Sequence, residues 1–289
     1  MKFAWIHEQR EQREPLEVSM MCQVLQVSRS GYYAWVDRPP AQRQKRREAL
    51  VGQIRAAHEQ SGGTYGSPRV HADLIAQKID VCVNTVAKLM KTAGIRSVMH
   101  GKFVVRTTDS SHDLPVADNL LDRQFDAPLP NQKWACDITY VPTAEGFLYL
   151  AAVIDLCSRR IVGWSMAEHL RTALCSDALE MALRSRRPGE DLIHHSDRGV
   201  QYASVDYQRL LRSHGITVSM SRRGDCYDNA VMESFWGTLK TELVHHRDYR
   251  SRAEAKSSIF RYIECWYNRQ RRHSAIGYMS PEQFEASLN

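Results

Sequence analysis

No run of the 289-residue chain approaches the roughly 18–20 consecutive apolar residues of a membrane-spanning helix. Its first residues, MKFAWIHEQREQRE, lack the apolar core of a secretion signal. The seven cysteines, Cys22, Cys82, Cys136, Cys157, Cys175, Cys226 and Cys265, are odd in number, and no two are spaced C-x-x-C. That distribution excludes a disulfide framework and a zinc knuckle, and it suits a reduced cytoplasm. No sustained heptad pattern of a coiled coil is present. Negative charge is scarce in one part only. Residues 1–110 hold 17 Lys/Arg against 10 Asp/Glu, whereas residues 111–289 hold 22 against 23. A basic section joined to a near-neutral one suits a polyanion binder attached to something else, although a merely solvated basic surface reads the same way.

Three sections follow from the patterning. The first, to about residue 106, reads as short helices. In SMMCQVLQVSRSGYYAWVDRP an apolar helix, a turn at Val27–Ser28 and a second helix starting at Ser28 have helix-turn-helix rhythm. After the basic helix AQRQKRREALVGQIRAAHEQ and the breaker SGGTYGSP, a second such unit is expected, with helices from Ser67 to Gln77 and from Asn84 to Thr92. Asn84 is the expected N-cap and Gly94 the stop, and Lys88 and Lys91 lie on the would-be recognition helix. We therefore expect an N-terminal helical region over 1–50, a helix-turn-helix DNA-binding domain over 51–106 and a Ser/Asp/Pro-rich linker over 107–130.

From residue 131 the period changes. KWACDITYVP, GFLYLAAVIDL and RRIVGWSMA read as three antiparallel strands, the second apolar enough to be central. A helix (TALCSDALEMALRSRR), a strand (DLIHHSD), a helix ending at Gly215, a strand (ITVSM) and two further helices follow. The expected class is α/β with a mixed sheet.

Three carboxylates stand out. Asp137 interrupts an apolar strand, where an unpaired charge is expensive to bury, unless simple alternation turns it to solvent. Asp197 ends a strand, where α/β sites form, or merely serves the turn that follows. Glu233 lies off the apolar stripe Val231, Phe235, Leu239 and Leu243 and alone would read as a solvated helix residue. Sixty positions separate Asp137 from Asp197, and 35 residues lie between Asp197 and Glu233.

Taken with the words DITYVP, HHSDRGVQY, SRRGDCYDNAVMESFWGTLKTEL and YIECWYNRQRRHSAIGYMSPEQF, this order resembles the Asp–Asp–(35)–Glu signature of integrase-type transposases. YGSPRVHADL…VAKLMKTAGI extends the likeness over nearly the whole chain, and the sequence is similar to OrfB-type transposases of the bacterial IS-three family. The resemblance implies a ribonuclease-H-like core with a five-stranded mixed sheet over 131–289. It also implies Mg²⁺-dependent DNA strand cleavage and strand transfer. Asp137, Asp197 and Glu233 would be catalytic and would hold two Mg²⁺ ions, with Mn²⁺ as a substitute; hard dications take oxygen donors, and two of them activate the attacking oxygen and stabilise the leaving one. No Ser/His/Asp arrangement is needed.

Lys240, two turns beyond Glu233, matches a basic position that the family uses near terminal DNA. Arg222 and Arg223 precede the helix, and Arg269, Arg271 and Arg272 form a basic patch in YNRQRRH; all are candidate DNA contacts. His194, His195 and Trp236 read as packing residues, Trp236 alternatively as a base-stacking platform. Implied partners are terminal and target DNA, an upstream reading-frame product (OrfA) that supplies a zipper and a further helix-turn-helix, and other copies of the chain. The chain would then be the downstream half of a frameshifted product, located in the cytoplasm and on the nucleoid when bound to DNA. Two other readings stay open: a ribonuclease-H-type nuclease that only hydrolyses, and a DNA-binding regulator with an inactive core.

Overall fold

The computed structural model describes residues 1–12, 16–39, 41–98, 114–222 and 225–288, which form two compact units, Met1–Gln53 and Ile54–Asn289. In the first unit α1 (Lys2–Arg10), α2 (Val18–Val24) and α3 (Arg29–Val36) close around Ile6, Met21, Cys22 and Tyr32. The Ser28 hydroxyl accepts from Gly31 N at 3.0 Å, capping α3 at the turn the sequence marks. A fourth helix, α4, runs from Gln42 to Gln60.

In the second unit α5 (Ser67–Ala76) and α6 (Val83–Thr92) bury Val70, Leu74, Val86, Leu89 and Met90. Gly94, at φ +69°, follows the end of α6 as expected. The expected cap is wrong: the N-cap is Cys82, one residue before Val83, and Asn84 already lies inside the helix. Cys82 Sγ lies 3.1 Å from Thr85 Oγ1, a local polar contact that the asparagine rule does not anticipate.

The sheet has the order β3-β2-β1-β4-β5, formed by β1 (Lys133–Thr143), β2 (Gly146–Asp155), β3 (Ile161–Ala167), β4 (Ile193–Ser196) and β5 (Thr217–Met220). β1, β2 and β3 pair antiparallel, and β4 and β5 run parallel to β1. On one face lie α7 (Thr172–Arg186), α8 (Val200–Ala203) and α9 (Val205–Ser213), packed on Trp134, Cys136 and Val153. The other face carries α10 (Ala230–Glu242) and α11 (Arg252–Arg261), packed on Ala135, Leu150 and Ile154. A short α12 (Pro281–Ser287) has a capping box between Ser280 and Gln283. This is the ribonuclease-H-like, integrase-type arrangement expected. β2 is buried along most of its length, which is why its sequence reads as a nearly unbroken apolar run.

The described part of the expected linker is packed. Leu121 is buried in the α10-side core, and Leu114 and Ala117 pack on the opposite one. Ser219 Oγ accepts from the backbone of Leu120 and Leu121, and Met220 N donates to Asp118 O. Sparse apolar residues in a polar segment suffice once each finds a pocket.

One glycine is required by packing. A Cβ on Gly163 would overlap the Ala178 carbonyl and stand 2.7 Å from Ala182 N, so α7 can lie on β3 only over a bare backbone. Gly163→Ala should destabilise the fold by about 1–3 kcal/mol. At about 2–4 °C per kcal/mol for a domain of this size, the melting temperature should fall by several degrees. An unchanged melting curve would mean that α7 is not seated as described.

Candidate active site

Asp137 sits mid-strand in β1, opposite Ala152, on the face that α10 covers. Its carboxylate accepts from Ile138 N at 2.8 Å and from Trp236 Nε1 at 2.9 Å. Asp197 follows β4. The parallel register pairs Ala135 with His195, so two residues further on Asp137 and Asp197 come level, on strands about 4.8 Å apart. The consequence is electrostatic: burial, and then the charge of Asp197, push the Asp137 carboxyl up to about 8. Asp197 Oδ1 accepts from Gly199 N at 2.9 Å, and a Cβ at Gly199 would stand 3.0 Å from that oxygen. The glycine lets the turn close on the carboxylate.

The third carboxylate arrives on α10. Phe235 and Leu239 bury its inner face, and Asn229 Nδ2 pins its start to Cys136 O at 3.2 Å. Glu233 lies on the open side; partial burial raises its carboxyl, and its charge adds to the elevation of Asp137. Among the described residues no three His, Cys, Asp or Glu side chains are gathered closely enough to enclose a metal ion. Asp137 and Asp197 are thus paired, while Glu233 borders them without closing a shell.

Trp236 packs against Phe235 at 4.7 Å between ring centroids and orients Asp137 through its indole N–H. It is a positioning residue, not a stacking platform open to solvent. Lys240 is also turned inward. It is 8% exposed, with its ammonium 5.4 Å from the centre of the Tyr140 ring. Burial lowers its pKa and the charge of Asp137 raises it. His194 and His195 belong to the core, as expected. His194 Nε2 bonds Tyr207 Oη at 2.9 Å, and His195 bonds Ser219 and Ser221. Burial pushes the two imidazoles down to about 3 and about 4.

The expected DNA-contacting arginines divide. Arg271 is 4% exposed and locked bidentate on Glu242, at 2.8 Å for Nη2–Oε1, so it does not form part of a basic surface. Arg272 pairs with Asp73 of α5 at 2.8 Å; its N–H donates to Tyr65 Oη at 2.7 Å, and its carbonyl accepts from Arg69 Nε at 3.0 Å. The segment read as a DNA patch is therefore the seat of the helix-turn-helix on the core. Arg222 is half-exposed but fastened to Asp228 and Asp122. Arg223 lies outside the described residues. Arg269, Lys88 and Lys91 are exposed.

Sequence reasoning missed Asp228. Fully buried, it accepts from Arg222 N, Nε and Nη2, Arg123 Nε and Asn119 Nδ2, which together hold its carboxyl well below the usual range. An acidic residue directly before a helix and after two arginines was the available signal.

Comparison with known proteins now has a geometry to meet. Integrase core domain families match residues 127–226 and 214–281, and an HTH-like domain family matches 45–103. The chain is 46% identical over 287 residues to the transposase InsF of insertion sequence IS3A from Escherichia coli (strain K12), covering 99% of this chain and 98% of that one. The chain belongs to the IS3-family transposases. It is an enzyme of DNA transposition with an integrase-type core. It is also 49% identical over 264 residues to a 31 kDa protein of insertion element IS600 from Shigella sonnei, covering 91% of this chain and 97% of that one. Among solved structures, the HTLV-2 integrase catalytic core domain in complex with magnesium matches 55% of this chain and 99% of its own, with 16% identity and a TM-score of 0.43. No helix among the described residues is long and apolar enough to cross a membrane.

The raised carboxyl makes stability depend on pH. In the native chain Asp137 keeps its proton up to about 8, whereas unfolded it releases it near 3.8. Its contribution is full below about 4 and is lost as pH rises toward 8. In chelator, melting temperature should decline across that window, and Asp137→Asn should flatten this component. An identical slope in the variant would remove Asp137 as its source.

Proposed function

We propose that Asp137, Asp197 and Glu233 form the metal-binding catalytic triad of this transposase, for DNA strand cleavage at the element ends and strand transfer into target DNA. One observation supports the reading above all: Asp137 of β1 and Asp197, directly after the adjacent parallel β4, are close enough that the charge of Asp197 adds to burial in raising the Asp137 carboxyl, and the helix carrying Glu233 donates a hydrogen bond to that same carboxyl. The donor set suits hard divalent cations, since the three residues offer only oxygen; His194 and Cys136 bond each other at 3.2 Å, and both ring nitrogens of His195 are taken by Ser219 and Ser221. When bound, two Mg²⁺ ions, or Mn²⁺ in their place, supply an activated attacking oxygen and a stabilised leaving oxygen for in-line displacement at phosphorus.

The chain's own residues prepare that chemistry. Ile138 N and Trp236 hold the two oxygens of Asp137, and Gly199 N holds one oxygen of Asp197. Lys240 brings its ammonium 5.4 Å from the centre of the Tyr140 ring, within electrostatic reach of Asp137. Asn229 and Asp228 fix where α10 begins, and hence where Glu233 stands. No protein nucleophile is required, because water or a DNA 3′-hydroxyl attacks. Lys88 and Lys91, on the outer face of α6, and exposed Arg269 remain as contacts to DNA phosphates. The proposed partners are the terminal repeats, target DNA, the upstream reading-frame product and further copies of the chain that bring two ends together.

Strand transfer with element-end DNA in Mg²⁺ tests this. Asp137→Asn, Asp197→Asn and Glu233→Gln should each lower cleavage and joining by at least about 100-fold while folding and DNA binding persist. Substantial turnover in any one would falsify its role. Hydrolysis without joining by the unaltered chain would favour a nuclease. Lys240→Ala should reduce joining less, since it removes a balancing charge and no ligand.

A further inference from the structure

Beside the carboxylate site the chain holds a cavity of about 310 Å³ with the opposite electrostatic character. Arg69, Arg159, Arg271 and His273 line it, together with Ser234 and Thr238 of α10. Arg271 is neutralised by Glu242. Arg69 and Arg159 have no carboxylate partner among the described residues: Arg69 spends its Nε on a backbone carbonyl, and the buried Arg159 Nε has no hydrogen-bond partner. His273 is 8% exposed, and its Nε2 is likewise buried and unpartnered. Its tautomer follows from its neighbour. Arg271 Nη1 lies 3.4 Å from His273 Nδ1, and a guanidinium can only donate, so Nδ1 accepts and Nε2 carries the proton. Arg159 also occupies a turn position at φ +62°, where glycine would be unstrained, yet an arginine stands there. Buried cations and donors left unmatched disfavour folding, and that combination is typical of ligand sites.

We infer that this cavity is a phosphate-binding pocket that grips a backbone phosphodiester of the DNA on which the carboxylates act. Guanidinium forks match phosphate oxygens, the imidazole N–H adds a neutral donor, and the Ser234 and Thr238 hydroxyls add two more. Ser234 directly follows Glu233, about 100° around the same helix, so pocket and carboxylates flank α10 side by side. The anion site stands on its own geometry; naming DNA as the occupant rests on the function proposed above.

The unaltered chain is compared with Arg159→Gln and Ser274→Asp, the last placing a negative charge on an exposed residue of the pocket lining. Arg212→Gln, on the exposed side of α9, is the control. Affinity for a short labelled DNA duplex of arbitrary sequence is measured against salt in chelator, and inorganic phosphate binding is followed by ³¹P NMR line broadening. Arg159→Gln should melt no lower than the unaltered chain, since it removes a partly buried cation that has no carboxylate partner among the described residues. Its logarithmic salt slope should fall by about one, with binding roughly tenfold weaker near 0.1 M salt, and phosphate broadening should disappear. Ser274→Asp should act in the same direction, and it carries the test if Arg159→Gln fails to fold. Phosphate broadening that depends on Arg159, with DNA slopes equal to the control, would overturn DNA as the occupant. Loss of neither would overturn the pocket. Asp137→Asn should keep the full salt slope, so failure of the catalytic assignment and failure of the pocket read out separately.

Discussion

Two carboxyl groups held level on neighbouring strands, and half-buried there, are the constraint around which the catalytic domain is arranged. Parallel pairing of β1 with β4 requires the crossover through β2, β3 and α7, and that crossover brings together residues sixty positions apart in the chain. Such a pair is unfavourable by itself, because burial and like charge both oppose ionisation. Hydrogen bonds from Ile138 N and the Trp236 indole offset only part of the cost, since the Asp137 carboxyl stays raised despite them. The tryptophan matters twice: it is core, against Phe235, and it ties the glutamate-bearing helix to the first aspartate.

Buried ion pairs hold α10 in register at both of its ends. Asp228 gathers donors from two arginines and an asparagine at the head of the helix, and Glu242 binds Arg271 and Tyr262 Oη at its tail. Buried ion pairs of this kind add little net stability compared with an apolar packing, but they are costly to break and specific in geometry. They also explain the even charge of residues 111–289. Arg222, Arg271 and Arg272 have acidic partners in this domain or in α5, so this region is not a basic surface despite its arginines. The surplus cations lie in the first 110 residues, on helices such as α6 whose lysines are exposed.

The division between what could and could not be read from the sequence follows from range. Strands were legible because β2 is buried on both faces and the middle of β1 is buried on either side of Asp137; helix starts at Ser28, Ser204 and Ser251 carry their own capping hydroxyls. Cys82 as a cap was not legible, because a thiol has no strong preference there. The arginines misled for a deeper reason. Glu242 lies 29 positions from Arg271 and Asp73 lies 199 positions from Arg272, so nothing local marks either arginine as spent. Motif spacing singled out Asp137, Asp197 and Glu233 as candidates, but burial of Lys240 and the indole bond to Asp137 depend on how a helix rolls over a sheet. A helical stripe narrows that roll without setting it.

Local rules are broken at two places that flank α10. On one side a half-buried carboxyl has a like charge beside it; on the other, the buried Nε of Arg159 and Nε2 of His273 lack partners. Defects of opposite sign are expensive separately, and the intact Arg271–Glu242 pair shows that the fold can match charges when geometry asks for nothing more. A nucleic-acid strand is the kind of ligand that needs both defects: its reacting phosphate must meet cations held by carboxylates, and a neighbouring phosphate must be gripped so that the first cannot slide. Ser234 following Glu233 on one rigid helix converts that need into a fixed spacing, so that binding on one flank aligns chemistry on the other.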